Sequence, residues 1–274
     1  MKMGKIGIFD SGYGGLTILG ELRRRLPEYD YIYLGDNARA PYGTRSFDVV
    51  YEFTLQAVKR LIDMDCPLII LACNTASAKA LRTIQQTFIA NERPDCRVLG
   101  VIRPTAEIVG TLSPSHHIGV LATEGTIRSE SYDLEIRKLW PDAVVTGLAA
   151  PMWVSLVENG EYDRPGADFF VRDSIEHLLA LDPDIDTIIL GCTHYPLLLH
   201  KIKQYTPAHI KLVPQGKYVA AALDDYLKRH TDMAERLSKE GTCDFFTTES
   251  PTRFGEQAAL FLGGNPNVQR LQLS

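Results

Sequence analysis

At 274 residues, 45% hydrophobic and 23% charged, the chain is long enough for a large buried core and near the length at which one core gives way to two. This composition excludes disordered and fibrous classes, the apolar runs are too short to span a bilayer, and a formal net charge of −5 offers no field for holding a polyanion, so neither membrane nor nucleic acid is expected as a partner. Five cysteines with no CxxC pair and no dense spacing argue against a disulfide framework or a zinc finger and predict reduced thiols.

Met1-Lys2-Met3-Gly4-Lys5 leads directly into the strand-like Ile6-Gly7-Ile8-Phe9, without the apolar stretch of a signal peptide, so the expected compartment is the cytoplasm. Leu16, Leu19, Leu22 and Leu26 then recur at helical spacing, predicting a helix over 15–26 that Pro27 stops. Arg23-Arg24-Arg25 reads as the solvated face of that helix. Tyr31 to Asp36 is the next strand, followed by the loop Ala40-Pro41-Tyr42-Gly43-Thr44 and a helix over 46–63. Leu68 to Ala72 is a buried strand ending at Cys73, and a helix is expected over 76–88. That places Asn74 and Thr75 in a turn whose N–H groups would welcome a carboxylate.

Strands about 97–102, 118–122, 143–148 and 187–191 are assigned to the second half, whose own cysteine turn precedes a helix over 197–205. From about Lys211 a strand, a helix over 217–230, a strand at Cys243–Thr248 and a helix capped by Ser250 with Pro251 at its first position complete the chain. No linker-like segment interrupts it, so the tail is expected to return to the first domain rather than form a third.

Two segments are nearly repeated. Ile69-Ile70-Leu71-Ala72-Cys73-Asn74-Thr75 reappears as Ile188-Ile189-Leu190-Gly191-Cys192-Thr193-His194, and Ile6-Gly7-Ile8-Phe9-Asp10-Ser11-Gly12 is echoed by Ile118-Gly119-Val120-Leu121-Ala122-Thr123-Glu124-Gly125 at a similar offset. The expected fold is therefore α/β: two similar, pseudo-twofold domains with parallel sheets and the active site in the cleft between them. The domains would be 1–98 plus 212–274, carrying Asp10 and Cys73, and 99–211, carrying Cys192 and His194.

A thiol at a strand-to-helix turn has its thiolate favoured by nearby N–H groups. Two such thiols facing one another would be paired bases, taking a proton from one face of a carbon and returning one to the other. Asp10 and His194 are then the titratable neighbours of Cys73 and Cys192. The competing reading is structural: each cysteine a small buried hydrophobe, Asp10 a loop cap, His194 a packed surface residue. Glu158 reads equally as a solvent-facing acid at a helix end. Gly12-Tyr13-Gly14-Gly15-Leu16-Thr17 lacks the last glycine of a dinucleotide fingerprint and the ending of a phosphate loop, and fits close backbone approach to a small ligand. The cysteines with His116, His117 and His194 match no common zinc spacing, so no metal is expected.

Phe9-Asp10-Ser11-Gly12-Tyr13-Gly14-Gly15-Leu16, Pro41-Tyr42-Gly43, Ala72-Cys73-Asn74-Thr75-Ala76-Ser77, Ala122-Thr123-Glu124-Gly125-Thr126 and Gly191-Cys192-Thr193-His194-Tyr195-Pro196-Leu197-Leu198 occur in an order that resembles the glutamate racemases of the cofactor-independent aspartate/glutamate racemase superfamily. The resemblance extends over nearly the whole chain, to Phe246-Thr247-Thr248 and Phe254. It implies reversible interconversion of L- and D-glutamate without pyridoxal phosphate, in the service of peptidoglycan synthesis. It makes Cys73 and Cys192 the acid/base pair assisted by Asp10 and His194. Ser11, Tyr42, Gly43, Asn74, Thr75 and Thr193 would bind the substrate with Asp10 and His194, and Glu158 falls at an acidic position near the second thiol.

Two departures from the family pattern stand out. Arg103 occupies a position that usually carries an acid, and Val213-Pro214-Gln215-Gly216 replaces a more acidic stretch, which bears on subunit contacts or effector response more than on catalysis. An aspartate-specific racemase, a decarboxylase of the same superfamily and a catalytically idle amino-acid- or partner-binding protein are the rivals. Monomer and homodimer both stay open.

Overall fold

The computed structural model describes residues 3–264 and 266–273 and divides the chain into two compact units. One runs to Val101 and resumes at Gly216; the other is Ile102–Gln215. Their strands are β1 (Ile6–Asp10), β2 (Tyr31–Gly35), β3 (Leu68–Leu71), β4 (Arg97–Gly100), β5 (His117–Ala122), β6 (Val144–Ala149), β7 (Thr187–Gly191), β8 (Lys211–Pro214), β9 (Cys243–Thr247) and β10 (Val268–Arg270).

In the first unit the sheet order is β10-β9-β2-β1-β3-β4, in the second β6-β5-β7-β8, and every pairing is parallel. The segment β2-β1-β3-β4 thus has the same order as β6-β5-β7-β8, so the repeat in the sequence is a repeat in topology. It makes β3 and β7, the strands that end in Cys73 and Cys192, equivalent. The fold class is as expected: two α/β domains with parallel sheets.

Two strand assignments differ from expectation. β4 was expected to open the second half but pairs with β3, and β8 was expected to return with the tail but pairs with β7. Each closes its own four-strand repeat at a sheet edge. The joints therefore fall at Val101/Ile102 and Gln215/Gly216, each a few residues beyond the expected boundary.

β1, β2, β3 and β7 are buried along their whole length, as parallel strands covered on both faces must be, and this is why they read as unbroken apolar runs. In the first unit Ile6, Ile8, Tyr31, Tyr33, Leu68 and Ile70 face one layer, where the helices Leu16–Arg25, Gly216–Arg229 and Pro251–Leu262 pack. Phe9, Ile32, Leu34, Ile69, Leu71 and Val98 face the other, against Phe47–Asp63. Ser250 caps the last helix by accepting from the Arg253 N–H, with Pro251 at its first position. In the second unit Trp140 lies so close over Gly110 that a Cβ there would sit 2.1 Å from its ring, so only glycine lets the Ile102–Leu112 helix seat against it.

The tail is pinned by Asp30, 2% exposed, whose Oδ1 accepts from the N–H groups of Glu240 (3.2 Å) and Thr242 (2.7 Å) and from the Thr242 hydroxyl (2.7 Å). Burial alone would raise its carboxyl, but hydrogen bonds from Ser238, Thr242 and Glu240 outweigh it and hold it at about 2. A depressed carboxyl stabilises the fold above its unfolded value and loses that contribution as pH falls through the folded one. Asp30→Asn is expected to lower stability by about 2 kcal/mol near neutrality. In denaturant melts the gap from wild type should close between about pH 4 and pH 2.

Candidate functional site

β1 and β3 are neighbours in register Phe9↔Leu71, and the Ala72 N–H reaches the Phe9 carbonyl at 2.8 Å. The turns that follow them, Asp10-Ser11-Gly12 and Cys73-Asn74-Thr75, therefore lie side by side at the carboxyl end of the sheet, where ligand sites of open α/β sheets form. Asp10 is 1% exposed and accepts from the Gly12 N–H at 3.0 Å. Gly15 stands directly over it: a Cβ there would come within 2.6 Å of the Asp10 Cβ, so the glycine lets the following helix start against the carboxylate. Cys73 caps the helix Asn74–Lys79. Its Sγ accepts from the Ala76 N–H at 3.5 Å and donates to the Ser11 hydroxyl at 3.4 Å. Asn74 and Thr75 are buried in the first turn. The helix thus begins at once after the thiol rather than at residue 76, and it breaks at Ala80 and again in a π-turn over Gln85–Ile89 instead of running through to 88.

In the second unit, β5 and β7 are neighbours in register Ala122↔Gly191, which sets Thr123 beside Cys192 as Ser11 is set beside Cys73. Thr123 had no assigned role in the sequence; the signal was its place in the echoed segment 118–125. Its Oγ1 accepts from the Thr126 N–H and caps Glu124–Arg128. Cys192 Sγ is 3.8 Å from His194 Nδ1, and His194 Nε2 is 3.1 Å from Glu158 Oε1, so thiol, imidazole and carboxylate form one relay. Cys192, Thr193 and His194 are buried, while Glu158 keeps part of its side chain in solvent. Aromatic packing assembles the relay. Tyr195 meets Trp153 edge-on at 4.7 Å and donates to the Ala150 carbonyl at 3.1 Å, docking the cysteine turn against the helix Pro151–Glu158 that ends in Glu158. The turn continues as a 3-10 segment, Tyr195–Leu198, before the α-helix Leu199–Tyr205, so Cys192 does not cap a helix as Cys73 does. Its polar neighbour is His194.

Burial by itself would strip the proton from His194, but the hydrogen bonds and charges of Cys192 and Glu158 prevail and raise the imidazolium to about 10. At neutral pH the histidine is a cation beside the Cys192 sulfur.

At the other thiols burial outweighs the nearby cations. Burial pushes Cys66 and Cys243 up to about 12, and raises Cys96 as well. Thiolate fraction governs alkylation. Iodoacetamide at neutral pH should therefore label Cys73 and Cys192 before Cys66, Cys96 and Cys243, as read by peptide mass; labelling of Cys66 first would contradict this assignment.

The histidines considered as metal ligands lie elsewhere. His117 Nδ1 is 2.9 Å from Asp182 Oδ2, His116 lies edge-on to Trp140, and neither joins His194. His117, Asp182 and Asp184 form a cluster, but the imidazole and the Asp184 N–H already occupy the Asp182 carboxylate. Arg103 is ion-paired with Glu107 (2.8 Å) and Glu135 (3.1 Å) on an exposed face, and Gln215 is buried, donating to Thr105 and Tyr132.

Two parallel-sheet α/β units of the same strand order, each with a buried thiol just beyond its third repeat strand, define the class of protein by its fold. Within that class, the Asp/Glu/hydantoin racemase family model matches residues 17–223, and the chain belongs to this family. It is 39% identical to a glutamate racemase of Geobacter metallireducens over 94% of this chain and 93% of that protein. Its fold is similar to crystal structures of the glutamate racemase isoform RacE1 of Bacillus anthracis (TM-score 0.90, 33% identity, covering 100% and 99% of the two chains) and of a Francisella tularensis glutamate racemase in complex with D-glutamate (0.85, 33%, 100% and 98%).

Proposed function

We propose that the protein is a glutamate racemase in which Cys73 and Cys192 are the two acid/base residues. The observation that carries this reading is the duplicated thiol turn, one at the carboxyl end of β3 and its equivalent after β7. Relatives named glutamate racemase over nearly the full length support glutamate as substrate.

One cysteine, as thiolate, removes the α proton, and the other, as thiol, delivers its own proton to the opposite face of the carbanion. Product leaves with the protonation states of the two sulfurs exchanged, so the enzyme is set for the other enantiomer. Removing a proton beside an ionised carboxylate is costly unless charge is met by placed donors and water is excluded. Ser11, Asn74, Thr75 and Thr193, with Thr123, supply side-chain donors. The Tyr42 phenol is already donated to Asp36, so Tyr42 and Gly43 contribute their backbone N–H groups. His194, facing Cys192, tunes that thiol and Glu158 acts on it through His194, while Asp10, on the turn beside Cys73, tunes the other.

In this reading the enzyme works in the cytoplasm and supplies D-glutamate for peptidoglycan. No helix among the described residues is long and apolar enough to cross a membrane. Circular dichroism starting from L- and from D-glutamate, with aspartate in parallel and no added cofactor, tests the reading. Both glutamate signals should decay to zero. Activity on aspartate alone would overturn the substrate, one methylene being a discrimination of only about 1–3 kcal/mol; silence on both would leave a binding protein.

A further inference from the structure

At the end of β2, one strand from Asp10, the Asp36 side chain is fully buried, and its backbone N–H reaches the Asp10 carbonyl at 3.0 Å. Its Oδ1 accepts from the Thr248 hydroxyl at 2.9 Å; its Oδ2 accepts from Arg39 Nε at 2.7 Å and from the Tyr42 hydroxyl. Each donor belongs to a different stretch of chain. Arg39 lies in the 3-10 turn Asn37–Arg39 and is itself held by Gln56 Oε1 at 2.5 Å and by stacking 4.0 Å over Phe53. Tyr42 belongs to the loop that bears Gly43, is 1% exposed, and packs its ring against Phe9 and Phe53. Thr248 belongs to the C-terminal tail, directly after β9, and also accepts from the Ala38 N–H at 3.0 Å.

A buried carboxylate is expensive unless its oxygens are met by donors. Three donors converging on this one fix three backbones at once. The Tyr42 ring shares a core layer with Cys73, so the loop is fixed relative to the thiol as well.

We propose that Asp36 is the positioning residue of the Cys73 half-site: through Tyr42 it sets the loop whose N–H groups receive the substrate, and through Thr248 it makes the C-terminal tail a supporting wall of that site. This rests on the racemase reading of Cys73. Asp36 touches neither sulfur nor substrate; it acts by holding Tyr42 and Gly43 where a carboxylate would dock.

The test uses the full chain carrying Asp36→Asn, Tyr42→Phe, Thr248→Val and Thr248→Ser, with KM and kcat for glutamate, thermal midpoint, and the ratio of iodoacetamide labelling at Cys73 and Cys192. Loss of one charge-assisted hydrogen bond predicts a rise in KM of about 10- to 30-fold for Asp36→Asn, with kcat moving less. Tyr42→Phe should shift KM in the same direction, and adding it to Asp36→Asn should make the double variant little worse than the more impaired single one, since both break the Asp36–Tyr42 bond. Thr248→Val should raise KM and Thr248→Ser, which keeps the hydroxyl, should restore it. Labelling should change at Cys73 and stay constant at Cys192.

If Asp36→Asn fails to fold, the threonine pair and Tyr42→Phe decide. A KM within twofold of wild type in folded Tyr42→Phe and Thr248→Val, or identical behaviour of Thr248→Val and Thr248→Ser, would overturn the proposal. If wild type does not racemise glutamate, the functional reading fails on its own, and the labelling ratio still decides whether Asp36 and Thr248 position the Cys73 turn.

Discussion

Replacing either Cys73 or Cys192 with serine is expected to lower racemisation by about 10³-fold or more, a loss typical of removing a general acid/base group. A serine hydroxyl matches the thiol closely in volume but is a far weaker acid, so at neutral pH it neither carries the anion that removes the α proton nor gives up its own proton readily. Both cysteines are 6% exposed at sheet ends, and the exchange alters packing little; stability should stay within about 1 kcal/mol of wild type. The losses should not add. Racemisation needs both sulfurs in one turnover, so the double variant should be scarcely worse than either single one.

The single variants are more informative than the double. With one thiol left, the enzyme can still remove the α proton from the enantiomer that presents it to that thiol and exchange it with solvent. Cys73→Ser and Cys192→Ser should therefore exchange opposite enantiomers of glutamate, as read by proton NMR in heavy water. Exchange of the same enantiomer by both would show that the thiols do not serve opposite faces.

The second large effect is expected at His194. His194→Gln removes the cation that faces Cys192 Sγ at 3.8 Å, and turnover should fall by about 10²-fold. Glu158→Gln should cost less, about tenfold, because it acts one residue further from sulfur. Enantiomers have equal free energies, so kcat/KM must fall equally in the two directions; asymmetry can appear only in kcat and KM taken separately.

The pH dependence separates these variants from a merely structural defect. Glu158 helps hold the His194 imidazolium at about 10, so its neutralisation should move the alkaline limb of the rate profile to lower pH, by on the order of one unit. A proton held more tightly in the folded state stabilises it below the unfolded value, about 6.5, and that contribution is lost as pH rises through about 10. The stability gap between wild type and His194→Gln should accordingly narrow on the alkaline side. A gap independent of pH would mean that folding leaves the proton affinity of His194 unchanged.

Much of this was legible in the chain. Strands buried on both faces write themselves as apolar runs, so β1, β3 and β7 and their cysteine turns could be read directly, and the Ser250-Pro251 start carried its own capping chemistry. What the sequence did not carry was membership. β4 and β8 are edge strands with partly exposed residues, and nothing local says which sheet they join; the answer lies in the repeat order and not in the residues. Glu158 illustrates the same limit. A helix-end acid reads as solvent-facing until Trp153 and Tyr195 are seen to dock its helix against the Cys192 turn, a contact between residues far apart in sequence. Tyr42 was singled out by its motif, but its hydroxyl is committed to Asp36, and that commitment depends on a tail more than two hundred residues away converging on the same carboxylate.

The central claim is that two sulfurs, not one, handle the α proton. It is tested most directly by following wild type from pure L-glutamate in heavy water through the first few per cent of conversion. The account predicts that the D-glutamate formed carries solvent deuterium at Cα, delivered by the second thiol, while the remaining L-glutamate stays unlabelled. D-glutamate that retained the original proton would mean a single base carrying it from face to face, and would contradict the two-thiol mechanism.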